Sequence, residues 1–583
     1  MPPSSPARGW LIAIAIAAAF YAAVAPTLSW TQFHDPIENL NIATALEMRH
    51  GGPLLVPTLQ GFPRLAKPPL TAWMTALSIQ PATVATLDAT DPEARAEAYA
   101  RFTQEVRRPA LLSASLLLIA AFWIGHLCGG ERTGTFTALV CASQYLFLRH
   151  CRLATTDIQL ALWVGVANAF LVLCVMRQRR WLGCLGVGIS MGFVLMAKGP
   201  VGLVQTVMPM LVFAVILRWQ RPDRQPLPWK RWMAPAIVGL LLMLAIGGWW
   251  FALVAMKNPD MGAFWLKEVS RVDADTVPPG PWFKHFVSQY LMLPWVMWMV
   301  IGAVMAVVAL RSRTLQTKSA EESRDHGVWT AILGFVLLVL PLIVMSFAKD
   351  RFQRYLIPLS PAAALLAAGP LVEYVRGRLN GYWIAIVHWA IVLVLAVGMP
   401  IAMGLGAGKS QQAVDGGPLL GGLHAGVIAA TGLLLVIVGI MLQRRRRDAM
   451  VWVTFVIMLG FQAVYYRGLG KNVGGRCELA GVADEIATQY PDAQIYVLRG
   501  RNKNVISVYG NELSIYLNRP VNFAPRTDAV PTSDRPQVML LVRGKNDPAL
   551  GPIPSWEPLK ILRGGNAKYV LLRLPKSAPT TAP

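Results

Sequence analysis

The sequence predicts a polytopic α-helical membrane protein that ends in a small α/β domain. Three observations carry this. The chain is 55% hydrophobic and only 15% charged, whereas soluble domains carry roughly 25% charged residues. Its apolar residues are bunched into about thirteen runs of bilayer-spanning length. Past residue 470 the composition turns into that of an ordinary soluble domain.

The first run, Trp10 to Leu28, follows Arg8 and is trailed by Ala23-Val24-Ala25. That imitates a secretory signal, but the run is too long for a signal core, so it reads as an uncleaved first span. Further spans begin near Pro109, Thr133, Ile158, Trp181, Val201, Met233, Phe286, Val328, Leu356, Tyr382, Leu420 and Met450. The basic loops Arg177 to Arg180, Arg218 to Arg231, Arg311 to Arg324, Arg376 to Arg378 and Arg444 to Arg447 all fall on one side of this arrangement. The positive-inside rule makes that side cytoplasmic, together with the N-terminus. The expected localisation is a bacterial inner membrane, with the C-terminal domain in the periplasm. Much of the net charge of +23 sits beside apolar runs, as topology signals do, so nucleic acid is not an expected partner. The six cysteines show no Cys-x-x-Cys spacing and mostly lie in or beside apolar runs, as buried apolar thiols do.

The expected organisation is a membrane domain over 1–469 and an α/β domain over 470–583. Polar loops at 30–108 and 256–285 face outward. In the last domain Cys477 to Tyr490 reads as a helix. Gln494 to Leu498, Gln537 to Val542 and Tyr569 to Leu574 read as strands. No P-loop or dinucleotide fingerprint is present in the sequence.

The polar residues of the outer loops carry the candidate chemistry. Ile37 to Met48 reads as a short amphipathic helix with Asp35 at its start, either as a cap or facing a sugar or phosphate site. Lys67-Pro68-Pro69 ends one segment and starts the helix Leu70 to Ile79, which holds Lys67 in a rigid turn. It reads as a phosphate ligand or a snorkelling lysine. Asp157 opens the fourth span, as an N-cap or as a functional carboxylate at a span edge. Lys198-Gly199-Pro200 forms a turn. Phe264 to Arg271 is helical in pattern, with Lys267 and Arg271 on one face. Lys349 to Tyr355 packs four charges and a phenol between two spans. His34 and His285 stand alone, without metal-site spacing. Together these basic groups and carboxylates suit an anionic lipid and a transfer reaction.

These residues resemble those of the C-type, polyprenyl-phosphate-dependent glycosyltransferases (the GT-C fold), and within them the lipid A 4-amino-4-deoxy-L-arabinose transferase group, relatives of the protein O-mannosyltransferases. The family pattern Asp-Glu-x-Arg-x-x-x-Ile-Ala meets Asp35 to Ala43, with Glu38 at its Arg. Gly-x-x-x-x-Glu-Lys-Pro-Pro-Leu meets Gly61 to Leu70, with Ala66 at its Glu. Phe-Trp-x-Glu-His-x-x-Arg-Phe meets Phe264 to Val272, with Lys267-Glu268 at its Glu-His. Asp157, Lys198-Gly199 and Tyr355 to Pro358 meet a family Asp, Lys-Gly and Tyr-x-x-Pro.

The resemblance implies an inverting displacement. 4-Amino-4-deoxy-L-arabinose would pass from an undecaprenyl-phosphate donor to a lipid A phosphate. Asp35 and Asp157 would be the catalytic carboxylates. Lys67, Arg271, Tyr355 and Arg354 would bind the lipid phosphate, and Lys198 and Glu38 are further candidates. No cofactor is required by this reading. A divalent metal is the open alternative, with Glu268 and His285 as weak candidate ligands. Rival readings are another sugar, a protein acceptor, or a lipid transporter or flippase.

Overall fold

The computed structural model describes residues 6–33, 35–89, 91–220, 229–270, 281–312, 326–348, 351–405, 422–473, 478–498, 511–524, 537–543, 557–564 and 567–573. Among these, eleven helices are long and apolar enough to cross a membrane, so the protein is a multi-pass α-helical membrane protein.

Two of the expected spans take a different form. The third breaks into Glu131–Ala142 and Tyr145–His150. At the break Gln144 is extended, and its side-chain amide donates to the Ser360 carbonyl at 3.2 Å. The eighth begins at Val296 rather than near Phe286. Leu293 precedes Pro294 and lies outside the helical region, at φ −52° and ψ 144°, since the proline ring disfavours helix at the residue before it. The residues ahead of it form only short turns, Lys284–Val287 and Ser288–Met292.

Helix Ser360–Val375 is the hub. Every residue of it but the last, Val375, is buried, which in a bilayer means it is surrounded by protein rather than lipid. Glycines let its neighbours come close. A Cβ at Gly334 would collide with the backbone of Leu366. Helices Arg180–Lys198 and Trp229–Met243 cross in the same way, since a Cβ at Gly188 would collide with the Gly239 backbone. Small residues at such crossings replace the hydrophobic drive that lipid does not supply.

The polar segment after the first span folds on carboxylate anchors. Asp35 caps helix Pro36–Arg49, accepting from the Ile37 and Glu38 amides at 2.9 and 3.1 Å. Asp91 caps the long helix Pro92–Gly129 at the Ala94 amide. Strands β1 (Thr58–Leu59) and β2 (Phe62–Pro63) form a hairpin whose turn residues Gln60 and Gly61 both have positive φ, 56° and 77°. That is the backbone a two-residue hairpin turn favours. Glu47 holds the hairpin through the Thr58 hydroxyl at 2.6 Å and the Gln60 amide.

The C-terminal part is a five-stranded sheet in the order β4-β3-β5-β7-β6. The strands are β3 (Gln494–Leu498), β4 (Asn522–Ala524), β5 (Gln537–Arg543), β6 (Glu557–Gly564) and β7 (Ala567–Arg573). β3 runs parallel to β4 and β5, while β7 is antiparallel to β5 and β6. The three strands expected from the sequence are present, and β4 and β6 are additional. Helix Glu478–Gln489 precedes the sheet and a helix over 511–517 links β3 to β4, as a parallel crossover requires.

This sheet domain does not hang free. One hydrophobic core runs through Phe33, Ile42, Leu46, Phe102 and Val106 into Ile486, Val497, Leu513, Ile515 and Tyr516. Tyr516 sits at the seam. Its hydroxyl accepts from the Phe33 amide at 3.3 Å, and its carbonyl accepts from Arg95 at 2.8 Å and Tyr99 at 2.6 Å.

Candidate functional site

The polar candidates converge where helix Thr156–Arg177 begins. Asp157 lies in its first turn with a side chain only 2% exposed. A carboxylate so placed must be paired. Lys198, the last residue of helix Arg180–Lys198, makes a close ion pair with it. Arg354 approaches from the turn before the hub helix, its Nε 3.6 Å from Asp157 Oδ2. Lys67 lies within electrostatic reach of the same carboxylate. Three stretches far apart in sequence therefore deliver cations to one buried acid.

Tyr355 completes the cluster. The Lys198 ammonium lies 4.2 Å from its ring centroid and the Arg354 guanidinium 5.5 Å. Arg354 also stacks on Phe352 at 4.1 Å. Such cation–π contacts fix long side chains without neutralising them. Three cations thus face this one carboxylate, a set that also suits an anionic group such as a phosphate.

Lys67 reaches this place through the segment before it. Arg64 donates to the Leu40 carbonyl at 3.4 Å and the Thr44 hydroxyl at 2.9 Å. Burial lowers Arg64 to about 10, so it stays a cation at neutral pH. Three indoles pin the same stretch. Trp73 donates to the Leu54 carbonyl at 2.8 Å, Trp250 to Leu55 at 2.8 Å and Trp265 to Leu65 at 3.0 Å. Pro68 and Pro69 are buried, which holds the Lys67 turn in place.

Glu38 has a structural partner that its sequence position does not reveal. It forms a fully buried bidentate pair with Arg107, with Nε to Oε1 and Nη2 to Oε2 both at 2.8 Å. Arg107 also donates to the carbonyls of Leu28, Thr31 and Gln32. Glu38 Oε1 accepts the Ala154 amide at 3.1 Å, three residues before Asp157. The pair therefore clamps the first polar segment to the loop that presents Asp157. Arg107 was not among the sequence candidates. The available signal was a charge at the edge of the second span, which needs a partner by default.

The other candidates fall elsewhere. Asp35 is half-buried and serves as the helix cap described above. Arg271 and His34 lie outside the described residues, as do the side chains of Lys267 and Glu268. His285 is fully buried with neither ring nitrogen hydrogen-bonded. Burial, with Arg351 and Lys284 nearby, pulls it down to about 4, so it is neutral at pH 7. Among the described residues no group of three or more His, Cys, Asp or Glu side chains is arranged to hold a metal.

Residues 102–249 match the family model of dolichyl-phosphate-mannose-protein mannosyltransferase. The chain is 24% identical over 352 residues to undecaprenyl phosphate-α-4-amino-4-deoxy-L-arabinose arabinosyl transferase 2 of Sodalis glossinidius, covering 58% of this chain and 56% of that one. It is 25% identical over 372 residues to the transferase of that name from Pseudomonas savastanoi pv. phaseolicola, covering 62% of each. The alignment thus spans less than two thirds of these curated relatives. In fold the likeness spans nearly the whole chain. ArnT from Cupriavidus metallidurans bound to undecaprenyl phosphate superposes with a TM-score of 0.70 at 18% identity, covering 99% of this chain and all of that one. Its apo form gives 0.70 over 97% and 98%. By sequence the chain is similar to undecaprenyl phosphate-α-4-amino-4-deoxy-L-arabinose arabinosyl transferases, and it has the fold of ArnT from Cupriavidus metallidurans.

Proposed function

We propose that the protein is an inverting glycosyltransferase that moves 4-amino-4-deoxy-L-arabinose from undecaprenyl phosphate to a lipid A phosphate. The observation that carries this reading is the cluster of Lys67, Lys198, Arg354 and Tyr355 around the buried Asp157. It offers an anion site at the end of two spans, where a lipid phosphate lies. The names of the relatives support the donor and the sugar.

An acceptor phosphate is already anionic, so the reaction needs no strong general base. The demand is positioning, with cationic stabilisation of the leaving polyprenyl phosphate. Lys67 and Arg354 supply that charge, with Arg271 as a further ligand and Tyr355 as a helper. Lys198 holds Asp157 in place. Asp157 orients the acceptor and faces the positive amine and the oxocarbenium-like centre, and Asp35 assists from the start of helix Pro36–Arg49, which it also caps. The site lies on the periplasmic face of a bacterial inner membrane, with the N-terminus cytoplasmic and the domain from residue 470 periplasmic.

Membrane vesicles supplied with donor lipid and lipid A test the assignment. Loss of transfer is expected in Lys67→Ala and Asp157→Asn. Full activity in both would remove the site. Mass analysis of lipid A from cells with and without the protein tests the acceptor. An unchanged lipid A would favour a hydroxyl acceptor on protein, a reading that the mannosyltransferase family match also supports.

A further inference from the structure

A second polar cluster lies at the opposite end of the hub helix, roughly 24 Å away for its 16 residues. Here helices Tyr382–Leu393 and Gly422–Arg445 leave a cavity of about 780 Å³. Arg378, Arg444 and Arg447 line it on the polar side, and Ile386, Leu393 and Ile440 line its depth. The arginines lie at the ends of the two helices and the apolar lining farther along them, an order that matches the two parts of a phospholipid.

Among the described residues no carboxylate pairs with Arg444 or Arg447. Residues 373–381 and 443–449 contain six arginines, Arg376, Arg378 and Arg444 to Arg447, against Glu373 and Asp448. Glu373 is spent on Arg376 at 3.2 Å and Arg378 at 3.6 Å, and Asp448 on Arg446 at 3.3 Å. Arg447 is steered by neutral groups, the Tyr374 carbonyl at 2.8 Å and the Tyr374 ring at 5.1 Å. The polar groups of the floor bond to one another. The Trp389 indole donates to Gln443 Oε1, and Gln443 Nε2 donates to the Tyr374 hydroxyl at 2.6 Å. What the cavity offers is positive charge at its mouth and apolar surface below.

We propose that this cavity binds an anionic phospholipid of the leaflet on the basic-loop side, its phosphate at Arg444 and Arg447 and an acyl chain along Leu393 and Ile440. A basic pocket between spans at the cytoplasmic surface suits such a headgroup. The volume exceeds what a free phosphate needs, and the apolar wall would be wasted on one. This site is separate from the transfer site and does not depend on the function proposed above.

The test uses the purified full-length protein in a non-ionic detergent. Melting temperature is titrated with phosphatidylglycerol, phosphatidylcholine and inorganic phosphate, for wild type, Arg444→Gln and the double variant with Arg447→Gln. Arg444 is exposed, so its single variant folds whatever the fate of the double. Phosphatidylglycerol is expected to raise the wild-type melting temperature saturably. Half-saturation should weaken about fivefold per arginine removed. Equal effects of phosphatidylcholine would overturn the proposal, because binding would then be by acyl chains alone. A full shift from inorganic phosphate would reduce the site to a free-anion site. An unchanged titration in both variants would also sink it.

Discussion

Replacing Glu38 by Gln removes one charge from a pair whose two side chains are both 0% exposed. The two 2.8 Å contacts from Arg107 Nε and Nη2 lose their ionic partner. The four donations of Arg107 to Leu28, Thr31 and Gln32 remain, but their acceptors are neutral. Breaking a buried pair from one side costs about 3–5 kcal/mol, because an uncompensated charge stays behind. Arg107→Met should cost at least as much, since it also orphans the carbonyls that Arg107 serves. Removing both charges leaves no buried ion, so Glu38→Gln with Arg107→Met should cost less than the sum of the singles by about 2–3 kcal/mol. The assay is a double-mutant cycle on unfolding in mixed SDS micelles, with transfer activity measured below the unfolding range. Activity should fall in both singles even where the fold persists, because the Ala154 amide that Glu38 holds is three residues from Asp157. Single-variant costs below about 1 kcal/mol, or strict additivity in the double, would refute the clamp.

Three further outcomes follow from the geometry. Lys198→Met should cost more activity than Arg354→Met, as Lys198 makes the closer contact with Asp157; equal or reversed effects on transfer rate would contradict that order. His285 is held near 4 against 6.5 in the unfolded chain, so its contribution is fully present above pH 6.5 and is lost as pH falls toward 4. The loss is at most about 3 kcal/mol, and a His285→Gln variant should melt with a flatter pH profile over that window. Tyr516→Ala should expose the 470–583 region to limited proteolysis, because it empties the seam beside Phe33 and Tyr99, whose ring centroids lie 6.0 and 5.6 Å away; a digestion pattern identical to wild type would show that the seam is not what holds the domain.

The membrane character, most helix positions and the cap at Asp35 were legible in the sequence, since each depends on local pattern: run length, prolines and a carboxylate before a helix. Asp157, Lys198, Arg354 and Tyr355 were legible as separate charges and a phenol at span ends. That they form one cluster was not, because the three segments carrying them meet only when the spans pack. The pairing of Glu38 with Arg107 was hidden for the same reason, with 69 positions between them. The sheet domain was legible as α/β through its β-branched strands, but not its docking, which rests on Tyr516 meeting Phe33 across 483 positions. Chain composition and run length thus determined by themselves that this protein lives in a bilayer and where most of its apolar helices lie. Which buried charges face one another was decided only by tertiary structure, because a charge in a low-dielectric interior is tolerated only beside a partner that folding brings to it.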